Sequence, residues 1–106
     1  MARPTSVSVA YNGTASTAVP LNWRSPSFAV SVRVVNTGDV VSKVEYTFDN
    51  VLAGATPTWI VAPSSTLLES ITGSEVGAIA FPCTAIRVAI ISGTSGSATM
   101  TVLEAT

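Results

Sequence analysis

The side chains in this sequence that could do chemistry are six carboxylates, one thiol and a large population of hydroxyls, with no histidine among them. Without an imidazole a Ser–His–Asp triad is excluded, and the commonest proton carrier and metal ligand is missing. Cys83 is the only cysteine, so neither an intrachain disulfide nor a cysteine–histidine zinc site can form. A lone cysteine fits a reducing compartment. Its neighbours in Phe81-Pro82-Cys83 are apolar, which predicts a buried structural thiol rather than a nucleophile. Carboxylate-only hydrolysis needs two acids brought together. Asp39 lies among turn residues and Glu45 on an alternating strand, where a solvated role is expected; Asp49, Glu69, Glu75 and Glu104 are scattered. Asp49-Asn50 lacks the dense acidic spacing of calcium loops. Gly73-Ser74 and Gly93-Thr94-Ser95-Gly96 are not phosphate loops, because no Gly-Lys-Ser/Thr follows. Asn12-Gly13-Thr14 matches a glycosylation acceptor, but the N-terminus has no secretory pattern to give it meaning. The expectation is a non-enzyme with no cofactor and no metal.

The elements that would position any site are strands. Ala29–Val35 places Val30, Val32 and Val34 on one face; Val40–Phe48 places Val44, Tyr46 and Phe48 inward and Lys43, Glu45 and Thr47 outward. With Asn36-Thr37-Gly38-Asp39 between them, the two runs predict an antiparallel hairpin. Ala85–Ile91, a loop at Ser92–Ser97, and Ala98–Glu104 predict a second, with Ile86, Val88, Ile90, Met100 and Val102 inward. Shorter strands are expected at Ser6–Tyr11, Thr17–Leu21, Thr58–Ala62 and Gly77–Phe81, with a turn at Thr72–Glu75. Pro63–Ile71 reads either as one helical turn capped by Ser64 or Ser65, or as a loop anchored by leucines. Seven or eight short strands with almost no helix predict an all-β antiparallel sandwich, jelly-roll or immunoglobulin-like in order. One domain is expected over 7–106, preceded by an arm at 1–6.

Charge separates this chain from an ordinary domain. Only 10% of its 106 residues are charged, with a net charge of −1, against about 25% in typical domains. Serine and threonine supply most of the polarity. A surface depleted of charge resembles the centre of an interface, so the chain reads either as a β domain that is simply charge-poor or as one whose surface is largely covered by other subunits. Arg3, Arg24, Arg33, Lys43 and Arg87 are too dispersed for a nucleic-acid surface, and no apolar stretch is long enough to span a membrane. Trp23 and Trp59 read as core residues, as interface anchors, or as platforms for stacking on sugar. Candidate contact residues are Arg3 and Pro4 on the arm, Trp23 and Arg24 in the loop that follows Thr17–Leu21, and Trp59, Leu67 and Leu68 in the middle segment.

Val44-Glu45-Tyr46-Thr47-Phe48-Asp49, Thr58-Trp59 and Ala80-Phe81-Pro82-Cys83-Thr84-Ala85-Ile86-Arg87-Val88 occur in that order. In this the chain resembles a group of small structural proteins of tailed bacteriophages, over about Val30 to Leu103. The resemblance implies a β-sandwich on the virion, made in the host cytoplasm. It further implies a capsid decoration (cement) protein that binds the major capsid protein and its own copies as a trimer or dimer. The competing expectation is a head-fibre or tail module that recognises host carbohydrate or receptor. No binding residues carry over from the resemblance.

Overall fold

In the computed structural model, the residues described are 4–21, 30–51, 56–63, 67–79 and 81–104. Among these residues there are eight strands: β1 (Thr5–Ala10), β2 (Val19–Pro20), β3 (Val30–Thr37), β4 (Val40–Thr47), β5 (Ile60–Val61), β6 (Ser74–Ile79), β7 (Ala85–Gly93) and β8 (Ser97–Glu104). They form two antiparallel sheets, β1-β8-β3-β6 and β2-β7-β4-β5, called sheet A and sheet B below. The expected all-β sandwich is present.

Neither expected hairpin forms. β3 pairs with β8 and β6, whereas β4 pairs with β7 and β5. The short connection after Thr37 is therefore a crossing between sheets, and so is the β7–β8 connection. The physical reason is side-chain parity. Pairing Val35 with Val40 in a hairpin would set Val32 beside Lys43 and Val30 beside Glu45 on one face. In the fold, Val30, Val32 and Val34 line the inner side of sheet A, and Val44 and Tyr46 line the inner side of sheet B. The same side of the chain stays inward through the bend.

The result is one four-stranded ribbon folded in half. β3 and β4 run antiparallel to β8 and β7 along their whole length, from Val30↔Glu104 through Thr37↔Ser97 and Val40↔Gly93 to Thr47↔Ala85. β1 and β2 follow the other side of β8 and β7, bridged between by Ala15↔Ala89. Ser42↔Ile71 carries the fourth lane from sheet B towards β6. This order is that of a jelly roll rather than an immunoglobulin sandwich. β-Pairing slips by one residue at the corner, and a bulge between Val41 and Ser42 slips it again. The two slips restore the match of inward residues, Val44 with Val88 and Tyr46 with Ile86, and leave Ile91 exposed at the bulge.

Val30, Val32, Val34, Ile79, Met100 and Val102 from sheet A meet Val44, Ile86 and Val88 from sheet B, all essentially without solvent exposure. Each such side chain contributes roughly 1.5–3 kcal/mol of burial. Thr5 and Ser6, expected in the arm, pair with Val102 and Thr101 in β1, since backbone pairing needs no apolar side chain there; residues 1–3 lie outside the described residues. The turn expected at Thr72–Glu75 likewise gives way to β6 from Ser74, where backbone pairing with Val35 begins. Phe48 was expected to point inward. It lies past the end of β4 and is 59% exposed, with its ring edge-on to Tyr46 and Phe81 at centroid separations of 5.4 and 6.5 Å.

At the corner the two crossings lie against each other. Gly38 and Gly96 have φ of 74° and 88°, a region that side chains with a Cβ disfavour. A Cβ on Gly96 would also collide with the Thr37 carbonyl oxygen. Thr94 donates its N–H to the Asp39 carbonyl (2.9 Å) and its hydroxyl to Asp39 Oδ2 (2.7 Å), fastening one crossing to the other. Gly96→Ala is expected to destabilise the fold by roughly 3 kcal/mol or more. Gly73→Ala, whose Cβ meets open space, should change stability by under about 1 kcal/mol. Urea unfolding of the two variants checks the contrast.

Candidate interaction surfaces

Sheet A presents a nearly uncharged outer face. Ser6 and Ser8 of β1, Thr99, Thr101 and Leu103 of β8, Ser31, Arg33 and Val35 of β3, and Ser74, Val76 and Ala78 of β6 alternate with the inward set. Among the described residues Arg33 is the only charged side chain on this face. It sits between Thr101 and Val76 in the ladder, and its Nη2 reaches Thr101 Oγ1 only at 3.5 Å. Among the described residues it meets no carboxylate. Around it runs an open groove of about 350 Å³ lined by Pro4, Ser31, Val32, Arg33, Val76, Thr101 and Leu103. Val76 is 63% exposed and Leu103 48% exposed. Of the candidate contact residues, Pro4 lies here. Sequence reasoning passed over Arg33, Val76 and Leu103. The signal was available, since Val76 and Leu103 are apolar residues at outward positions of alternating strands.

The outer face of sheet B is covered instead. Glu45 was expected to be solvated but is 7% exposed. It accepts a hydrogen bond from Arg87 Nε at 2.8 Å and pairs with Lys43 Nζ at 3.6 Å. The Arg87 guanidinium lies over the Trp59 ring, 4.4 Å from its centroid. Trp59 is thus half-buried on the outside of sheet B, neither in the sandwich interior nor a free anchor. Thr47, also expected to face solvent, is fully buried. Its Oγ1 accepts the Asp49 N–H (3.1 Å), and Asp49 Oδ2 accepts the Thr58 N–H (2.6 Å), so Thr58 is tied back to the end of β4.

The middle segment splits the leucine pair. Leu68 is fully buried and belongs to the core, which removes it as a contact residue. The cause is a backbone anchor: its carbonyl accepts the Val44 N–H at 2.9 Å, turning its side chain between the sheets. Leu67 has a φ of 64° and is 59% exposed. That conformation rules out a helical turn through Leu67 and is costly for a leucine. Ser64 and Ser65, the proposed caps, lie outside the described residues, as do Arg3, Trp23 and Arg24.

Cys83 is buried beneath a shallow pocket of about 220 Å³ formed with Phe48, Asn50, Pro82 and Thr84. Burial, aided by the charge of Glu104, raises its thiol from 9.0 to about 11. Among the described residues no three acids or thiols converge as metal ligands.

The raised Cys83 pKa makes stability depend on pH in a defined direction. The unfolded chain loses the thiol proton from about pH 9, before the folded chain does, so stability present below pH 9 is lost as pH rises through about 11. Cys83→Ala should flatten the fall in urea midpoint between pH 9 and 11 relative to the parent. Arg87→Ala should uncover the Trp59 ring and leave Glu45 with Lys43 alone. A loss of about 1–2 kcal/mol is expected, with faster acrylamide quenching of Trp59 as the direct readout.

No family model and no curated protein matches the chain. Among solved structures, it is similar to the crystal structure of SPBc2 prophage-derived protein YomS, with TM-score 0.52 and 8% identity over 99% of this chain and 97% of that one. A structure of disulfide-linked pili from Bacillus endospore appendages is similar at TM-score 0.42 and 13% identity, over 98% of this chain and 86% of that one. The first likeness bears on the fold: a chain of almost the same extent folds in a similar way.

Proposed function

We propose that this protein is a non-enzymatic structural component of a tailed-phage virion, and more narrowly a capsid decoration protein on the capsid surface. In this reading it contacts the major capsid protein and its own copies. The observation that carries the reading is the outer face of sheet A, a broad face of hydroxyls and exposed aliphatic groups with, among the described residues, the single charge of Arg33. Such a face costs less to desolvate than a charged one, provided its hydroxyls find hydrogen-bond partners on the neighbour. The fold it shares with a prophage-derived protein supports the same direction.

The mechanism is shared area. Four strands at about 4.8 Å spacing and six residues at about 3.3 Å rise cover on the order of 400 Å². A stable pair needs about 800 Å² from each partner. One such face therefore holds a subunit only weakly, and a lattice that presents several contacts at once multiplies weak ones into a stable attachment. A carbohydrate-binding reading is less well supported, because the Arg87 guanidinium already occupies one face of the Trp59 ring.

Quantitative mass spectrometry of purified virions tests the proposal. Hundreds of copies per particle are expected. A dozen or fewer would move the protein to a tail or portal position, and its absence from particles would end the virion reading.

A further inference from the structure

Most carboxylates of this chain are already occupied. Glu45 is bound by Arg87 and Lys43, Asp39 by Thr94, Asp49 by Thr58, and Glu75 Oε1 accepts the Val76 N–H at 3.3 Å. Glu104 lies close enough to Cys83 to act on its thiol. Glu69 is different. It is exposed and, among the described residues, bonds to nothing. Two positions before it, Leu67 holds its side chain in solvent from a left-handed backbone, while the Leu68 anchor between them fixes the segment on the edge of β4.

The groove on sheet A has the complementary pattern. Arg33 is the described cation without a carboxylate, and exposed Val76 and Leu103 flank it. An apolar side chain with a carboxylate close by is what this groove fits, and the chain itself carries that pair. We infer that the Leu67–Glu69 edge of one copy docks into the Arg33 groove of a second copy, Leu67 against Val76 and Leu103, and Glu69 against Arg33. The two surfaces are different parts of the molecule, so the contact is head-to-tail and propagates as a ring or a chain of subunits. The inference deepens the contact with its own copies in the function proposed above, but its test needs no particle.

Charge reversal tests it with a built-in rescue. At about 1 mM, where weak contacts are populated, the parent should sediment as more than a monomer, less so at high salt. Arg33→Glu alone and Glu69→Arg alone should each weaken association by at least about tenfold, since each places like charges together. Mixed in equal amounts, the two variants should associate again, because each groove then meets an opposite charge. Both sites are exposed, so thermal unfolding should match the parent and exclude misfolding. A monomeric parent, single variants that associate like the parent, or a mixture that stays monomeric would each overturn the contact. A monomeric parent still found at hundreds of copies on virions would overturn this contact while leaving the decoration reading intact.

Discussion

Everything in this fold depends on two chain crossings turning the same corner in contact. Each strand of sheet A is continued by a strand of sheet B, so the sandwich exists only if the ribbon folds sharply once. The fold is made at Thr37–Val40 on one lane and Gly93–Ser97 on the next, where Gly96 approaches the Thr37 carbonyl more closely than any side chain would permit. Asn36 secures the inside of the bend. Its Nδ2 donates to the Ile71 carbonyl at 2.7 Å and its Oδ1 accepts the buried Ser42 hydroxyl at 2.8 Å. One amide thereby ties β3, β4 and the fourth lane together. Polar groups left unpaired at such a buried corner would cost more than the bonds contribute, which makes the network selective for this bend.

The strands themselves were legible in the sequence. The alternations at Val30–Val34, Ile86–Ile90 and Met100–Val102 name the inward faces correctly. Their partners were not legible, because alternation reports which side of a strand is buried and not which strand lies beside it. Loop length pointed to hairpins, and the short connection after Thr37 suits one. Parity pointed the other way: inward residues keep even numbers from Val30 through Tyr46 and again from Ile86 through Val102. A hairpin across either expected turn breaks that agreement, and a folded ribbon preserves it. Parity carried the topology, and it is a property of the two strands jointly.

The candidate surfaces were legible to the extent that they depend on local sequence. Pro4 and Leu67, both candidate contact residues, are exposed, and the low charge of the chain is visible on sheet A. Glu45, Thr47, Trp59 and Leu68 were misplaced for one shared reason. Each has its environment set by a residue distant in sequence: Arg87 of β7 bonds Glu45 and covers Trp59, Thr84 donates to the Thr47 carbonyl, and the Val44 N–H captures the carbonyl of Leu68. No window around those residues contains the information.

The two sheets are consequently unequal as surfaces. Sheet B has its outer face occupied by the Glu45, Arg87 and Trp59 cluster, and its edge strands β2 and β5 are two residues each, one of them containing Pro20. Short, proline-bearing edges resist strand addition. Sheet A has six-residue edges at β1 and β6 without proline, an open outer face, and Glu75 as the one charge on either edge. Association through sheet B would have to displace an ion pair and a cation–π contact already made. Association through sheet A displaces water from hydroxyls and aliphatic groups. The asymmetry distinguishes the two outer faces: that of sheet A can be covered without breaking an ion pair or a cation–π contact, and that of sheet B cannot.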